Sequence, residues 1–289
     1  MKPITLRTVT FTAAVLLSAL LVLAGTGCVS VPAGEPLPPA RPGVTGLLLI
    51  AHGSGNNPSN WPARLIRQIR NSGADISRWE IYAHDWEAEA NKVLTAARNG
   101  NAIGREMARR LIASGDQYQV LHLVGQSMGA HLTQGFADEY RRLQGRAYIQ
   151  MTFMDPFLIR GVFGFGHGVR QFGRGADFAE NFLVRHEPML GTNRYLRHAH
   201  NIDITALVWE DLKDDFFGPH WWVVAYYRQS VVNEWPGFDR SPIAAGILTG
   251  YTAEGQGTSR GGTAGGFGDY FAALRAALPA GERIVLEAD

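Results

Sequence analysis

The sequence predicts an α/β domain with a mostly parallel central sheet. Three observations predict it: short continuous apolar runs, helical apolar periods between them, and ample apolar material for a core. The first run, Leu47-Leu48-Leu49-Ile50, has no polar alternation, as a strand covered on both faces requires. Similar runs recur at Trp79 to Ala83, Val120 to Val124, Tyr148 to Met154 and Ile202 to Val208. Between them, Leu65, Ile66 and Ile69 share one helical face, and Ile103, Met107, Leu111 and Ile112 another. After Ser127, Met128, Leu132, Phe136 and Tyr140 recur every four positions, the pattern of a helix laid on a sheet. Strands alternating with helices imply a sheet covered on both sides.

Composition narrows the class further. Of 289 residues, 46% are apolar and 18% charged, which excludes a disordered chain. Lys and Arg number 27 against 26 Asp and Glu, so the net charge of +1 leaves no electrostatic footprint for nucleic acid. A single cysteine, Cys28, excludes an intramolecular disulfide and a Cys-rich zinc site.

The first residues read as an export signal over 1–27. Lys2 and Arg7 precede an apolar run from Val9 to Ala24, which exits through Gly25-Thr26-Gly27 into Cys28. Small residues before the cysteine are similar to a bacterial lipobox, with Gly25 where that pattern prefers Leu. The resemblance implies acylation of Cys28 and a lipid anchor in the cell envelope; an ordinary secretory signal is the alternative. Residues 28–44, with Pro32, Pro36, Pro38, Pro39 and Pro42, read as an extended tether. One domain over 45–289 follows.

Two stretches break the alternation. Residues 157–201 carry Phe, Gly and Arg with only a weak helical period near Phe178–Val184, and are a candidate cap over a site. Residues 255–268 are glycine-rich without a strand-then-helix context, so they read as a loop and not as a phosphate cradle.

The strongest chemical signal is Gly125-Gln126-Ser127-Met128-Gly129, placed between an apolar strand and an amphipathic helix. A serine at so sharp a turn needs Gly125 and Gly129 beside it for steric reasons. Its hydroxyl then stands at the carboxyl edge of the sheet, where helix amides point. The first strand ends in Ala51-His52-Gly53-Ser54, so the amides of Ser54 and Met128 are the expected oxyanion donors, with His52 fixing the loop.

On these residues the chain resembles the α/β-hydrolase superfamily, and within it the lipase-like branch that includes pancreatic-type lipases. The likeness rests on the strand followed by His52-Gly53, on Asp85-Trp86, on Gly125 through His131, and on Met154-Asp155-Pro156, over roughly Leu47 to Tyr227. In that branch His commonly precedes the serine; here it is Gln126. No counterpart of the family's additional lipid-binding domain is found.

A nucleophilic serine needs a base and a carboxylate that sets the base's tautomer. His220, in Phe216-Phe217-Gly218-Pro219-His220 ahead of an apolar helix near Trp221, is the expected base. Asp155 is the expected acid from its Met-Asp-Pro context. Asp211, Asp214 and Asp215 are the alternatives, Asp211 only nine positions before His220. Asp203, between Ile202 and Ile204, reads as structural, and His198 and His200 form an H-x-H pair without a third ligand at fitting spacing.

The expected activity is therefore cleavage of carboxylic esters through an acyl-enzyme, with Ser127, His220 and Asp155 as triad and no metal or organic cofactor. The substrate is a small-molecule or lipid ester, with Phe157, Phe163, Phe165 and Phe172 as candidate acyl-site residues. A non-catalytic envelope lipoprotein with this fold is the alternative, as is a thioesterase or amidase.

Overall fold

A computed structural model describes residues 37, 41–72, 76–115, 118–161, 164–185, 189–205, 218–231 and 283–285. The signal segment, Cys28, most of the tether, Phe163, Asp211, Asp214, Asp215 and residues 255–268 lie outside the described residues.

The elements run β1 (Gly46–Ala51), α1 (Trp61–Asn71), β2 (Trp79–His84), α2 (Glu87–Ala90), α3 (Ala96–Ala113), β3 (Val120–Gln126) and α4 (Gly129–Arg142). Then come β4 (Tyr148–Met154), α5 (His167–Gln171), β5 (Phe178–Leu183), β6 (His200–Asp203), α6 (Gly218–Gln229) and β7 (Arg283–Val285). The strands form one sheet in the order β2-β1-β3-β4-β5-β6-β7, every pair parallel. All six residues of β1 and all seven of β3 and β4 are buried, which explains their predominantly apolar runs; His122 in β3 and Gln150 and Thr152 in β4 are polar residues buried among them. Among the described residues no helix is long and apolar enough to cross a membrane.

Side chains alternate between the two faces of the sheet. Leu48, Ile50, Val124, Met154, Phe182 and Ile202 pack with Trp61, Leu65 and Ile69 of α1 and with Trp222, Tyr226 and Tyr227 of α6. On the opposite face Phe153 stacks on Phe172 at 5.3 Å, and Phe172 meets His131 of α4 edge-on at 5.0 Å. Helices therefore cover both faces, as the alternation of periods implied.

Strand β5 departs from the sequence reading. The stretch with a weak helical period near Phe178–Val184 is strand β5, paired on both sides within the sheet. Residues 157–201 thus contribute a central strand as well as connecting segments. Glu180 and Asn181 interrupt its apolar pattern, and both are buried. Thr152 donates to Glu180 Oε1 at 2.6 Å, and His122 Nε2 meets the Thr152 hydroxyl at 2.9 Å. Burial pushes the Glu180 carboxyl up to about 8 and the His122 ring down to about 3, so both are neutral near pH 7.

Candidate active site

The site lies where β1, β3, β4 and α6 converge at the carboxyl edge of the sheet. Ser127 follows β3 with φ +50, in the left-handed region that a non-glycine residue enters only at a cost. Its carbonyl accepts from the amides of Ala130 and Phe157, and its own amide donates to Met154 O at 3.1 Å. These bonds hold the strained turn. Gly129 is required by close approach, because a Cβ there would stand 2.1 Å from Ala51 O. Gly125 faces Thr133 and Ala130 in the same tight way.

Asp155 repeats this geometry one strand over. It follows β4 with φ +41, and its amide donates to Phe182 O at 2.9 Å. The β3–β4 register pairs Gln126 with Met154, so Ser127 and Asp155 leave adjacent strands at the same level. The Asp155 carboxylate is fully buried. Its Oδ1 accepts from the Asn193 amide at 3.0 Å, and its Oδ2 accepts from His220 Nδ1 at 2.6 Å.

His220 lies in the first turn of α6, which starts at Gly218 and not near Trp221. The residue is 3% exposed, and its ring bonds Asp155, 65 positions away in the chain. The other nitrogen, Nε2, is 2.9 Å from Nε2 of the Gln126 side chain, so the ring sits at the elbow beside the residue preceding Ser127. Gln126 Oε1 accepts from the Gly53 amide at 2.8 Å.

Among the described residues, neither the Ser54 nor the Met128 amide has a hydrogen-bond partner, so both remain open to a ligand. The Ser54 hydroxyl donates to Ala90 O, which ties the loop after β1 to α2. The backbone of Gly53 lies against the elbow, where a Cβ would stand 2.8 Å from Ser127 Cβ. His52 bonds the Gly53 carbonyl through Nδ1 at 2.9 Å, and its own carbonyl accepts from the Trp86 indole at 3.0 Å. Burial pushes the His52 ring below the usual range, against the raising effect of its Gly53 bond.

Other expectations fare differently. Phe172 is core packing between Phe153 and His131. Phe157 is half-buried, and Phe165 is exposed. Asp203 accepts from the Thr205 amide at 3.1 Å and the Tyr195 hydroxyl at 3.1 Å, a structural role. His200 stacks on Phe178 at 5.2 Å. Among the described residues no group of three or more His, Cys, Asp or Glu side chains is placed to hold a metal ion. Sequence reasoning passed over Gln126 and Asn193. The first differs from the family's usual His and so was an available signal; the second acts through its backbone and left none.

No protein-family model matches the sequence, and no curated protein matches it. Among solved structures the chain is similar to esterase 2 of Thermogutta terrifontis phosphorylated by paraoxon, at 16% identity and a TM-score of 0.34. The match covers 54% of this chain and 64% of that one, so the chain spans less than two thirds of that neighbour's length. The parallel sheet with helices on both faces, and a serine at a left-handed turn between its third strand and the next helix, define an α/β-hydrolase fold.

Proposed function

We propose that this protein is a serine hydrolase that cleaves carboxylic esters through an acyl-enzyme intermediate. The observation that carries the reading is the buried 2.6 Å bond between His220 and Asp155 beside a serine held at φ +50. In this reading Ser127 Oγ attacks the ester carbonyl and His220 Nε2 takes its proton, later passing it to the leaving alkoxide. Asp155 keeps the ring's proton on Nδ1 and stabilises the imidazolium as it forms. The amides of Ser54 and Met128 hold the oxyanion, each contributing about 2.7–4 kcal/mol to transition-state stabilisation. Water then cleaves the acyl-enzyme by the same route in reverse.

Exposed apolar side chains favour a hydrophobic ester. Val93 and Leu94 follow the segment that Ser54 binds, Leu190 lies three positions from Asn193, and Trp221 adjoins His220 with its ring 5.9 Å away. Scattered apolar residues are ordinary on a surface, but Trp221 touches a residue of the proposed triad and the other three lie within four positions of Ala90 or Asn193 in the chain. Anchoring by a lipidated Cys28, with residues 28–44 as tether, belongs to the same proposal and rests on the sequence alone.

Reaction with an active-site fluorophosphonate tests the reading. Wild type takes up label and Ser127→Ala does not; equal labelling of the two overturns it and favours a binding protein. Esters of p-nitrophenol with graded acyl chains then measure the acyl site.

A further inference from the structure

Four hydrogen bonds in series cross the site, and their directions are forced. A backbone N–H can only donate, so the Gln126 atom facing Gly53 at 2.8 Å is its oxygen. The atom facing His220 Nε2 at 2.9 Å is then the amide NH2, which donates. His220 Nε2 must accept, its proton sits on Nδ1, and Nδ1 donates to Asp155 at 2.6 Å. At the far end Asn193 N–H fixes the second Asp155 oxygen as an acceptor. Backbone donors at both ends leave one arrangement of protons.

That arrangement has a chemical consequence. An unprotonated imidazole nitrogen offers a single in-plane lone pair. While Gln126 holds it, it is not available to Ser127, whose hydroxyl has no hydrogen-bond partner among the described residues. We propose that Gln126 is a latch that keeps His220 neutral and in the base-competent tautomer at rest, and must be released before the ring meets Ser127. The inference rests on the hydrolase reading and deepens it. Gln126 acts through His220, so it is a positioning residue.

Releasing one such bond has a net cost equivalent to about two- to tenfold in rate. The test is the second-order rate of fluorophosphonate labelling of the full chain and its variants. Gln126→Leu frees the lone pair and labels about two- to tenfold faster than wild type. Gln126→Glu still accepts from Gly53 but sets a carboxylate against Nε2, which holds the ring as imidazolium. It labels more than about tenfold slower. In protein labelled with 15N-histidine at pH 8, the His220 signal, assigned with His220→Gln, shows Nε2 bare in wild type and protonated in Gln126→Glu. Should the Leu variant not fold, Gln126→Met, also without a donor, replaces it with the same expected rise.

A merely structural role slows the Leu and Glu variants alike and leaves the ring's protonation unchanged. Either result, or a Leu variant no faster than wild type, overturns the latch. Labelling that persists in Ser127→Ala overturns the hydrolase reading instead, so the two failures are distinct.

Discussion

Replacing Asp155 with Asn tests the site through a change of one atom type. The Asn193 amide still demands an acceptor, so the new side chain turns its oxygen there. Its NH2 group then faces His220 Nδ1, where the carboxylate accepted at 2.6 Å. The ring must move its proton to Nε2, which meets the Gln126 NH2 group, itself anchored by Gly53. The position is fully buried, so solvent offers no relief. In Ser-His-Asp sites the corresponding change lowers turnover about ten-thousandfold, or about 5.4 kcal/mol at about 1.36 kcal/mol per tenfold. The assay is kcat/KM on p-nitrophenyl acetate, with thermal unfolding of the same sample as control. A folded Asp155→Asn within tenfold of wild type refutes the reasoning. A large loss in Asp211→Asn alone moves the acid to that residue.

Three further outcomes follow from the same geometry. Glu180 keeps its proton in the folded protein up to about pH 8, whereas in the unfolded chain it ionises near its ordinary 4.5. Its contribution to stability is therefore full below pH 4.5 and falls by about 1.4 kcal/mol per pH unit up to about pH 8. Gln does not titrate, so urea unfolding shows Glu180→Gln gaining on wild type from pH 5 to pH 8; a constant difference refutes the assignment. Gly129→Ala drives a Cβ to 2.1 Å from the Ala51 carbonyl, and thermal unfolding registers a loss of about 1–3 kcal/mol. Asn193→Gly keeps both the amide donor and φ +54 and retains ester hydrolysis, whereas Asn193→Pro loses the donor, cannot reach that φ, and falls at least about tenfold.

The strands β1, β3 and β4 are legible in the sequence because parallel burial on both faces writes itself as a predominantly apolar run, unbroken in β1 and interrupted by single polar residues in β3 and β4. Strand β5 is not, because Glu180 and Asn181 sit at its centre and only distant partners make them tolerable. Glu180 is met by Thr152 across the β4–β5 pair, and Asn181 donates to Asn201 Oδ1 at 2.9 Å. The elbow is legible because its glycines answer a local steric demand. The partnership of His220 with Asp155 is only half legible. Residue context nominates each, but their contact depends on where α6 begins. Gln126 is marked in the sequence only by standing where the resembling family has His; its contacts are not legible, since one end of its side chain is fixed by Gly53, in the loop after β1, and the other by a helix far downstream.

The candidate groups are held in two different ways. Ser127 and Asp155 are each locked by a backbone bond from a left-handed residue to the carbonyl of the neighbouring strand. Such residues cost about 1–3 kcal/mol apiece and persist only when the surroundings over-determine them. The sheet does so here, because shifting either residue breaks a bond to the next strand. The His220 ring is contacted at its two nitrogens by the side chains of Gln126 and Asp155, and it meets the Trp221 ring edge-on. In the proposed hydrolase, a serine and an acid locked to neighbouring strands beside a ring held by side-chain bonds make reorientation of the imidazole the step that the Gln126 latch controls. Substitutions that alter the donors and acceptors around that ring therefore act on rate, and where they leave a buried group unpaired they lower stability as well.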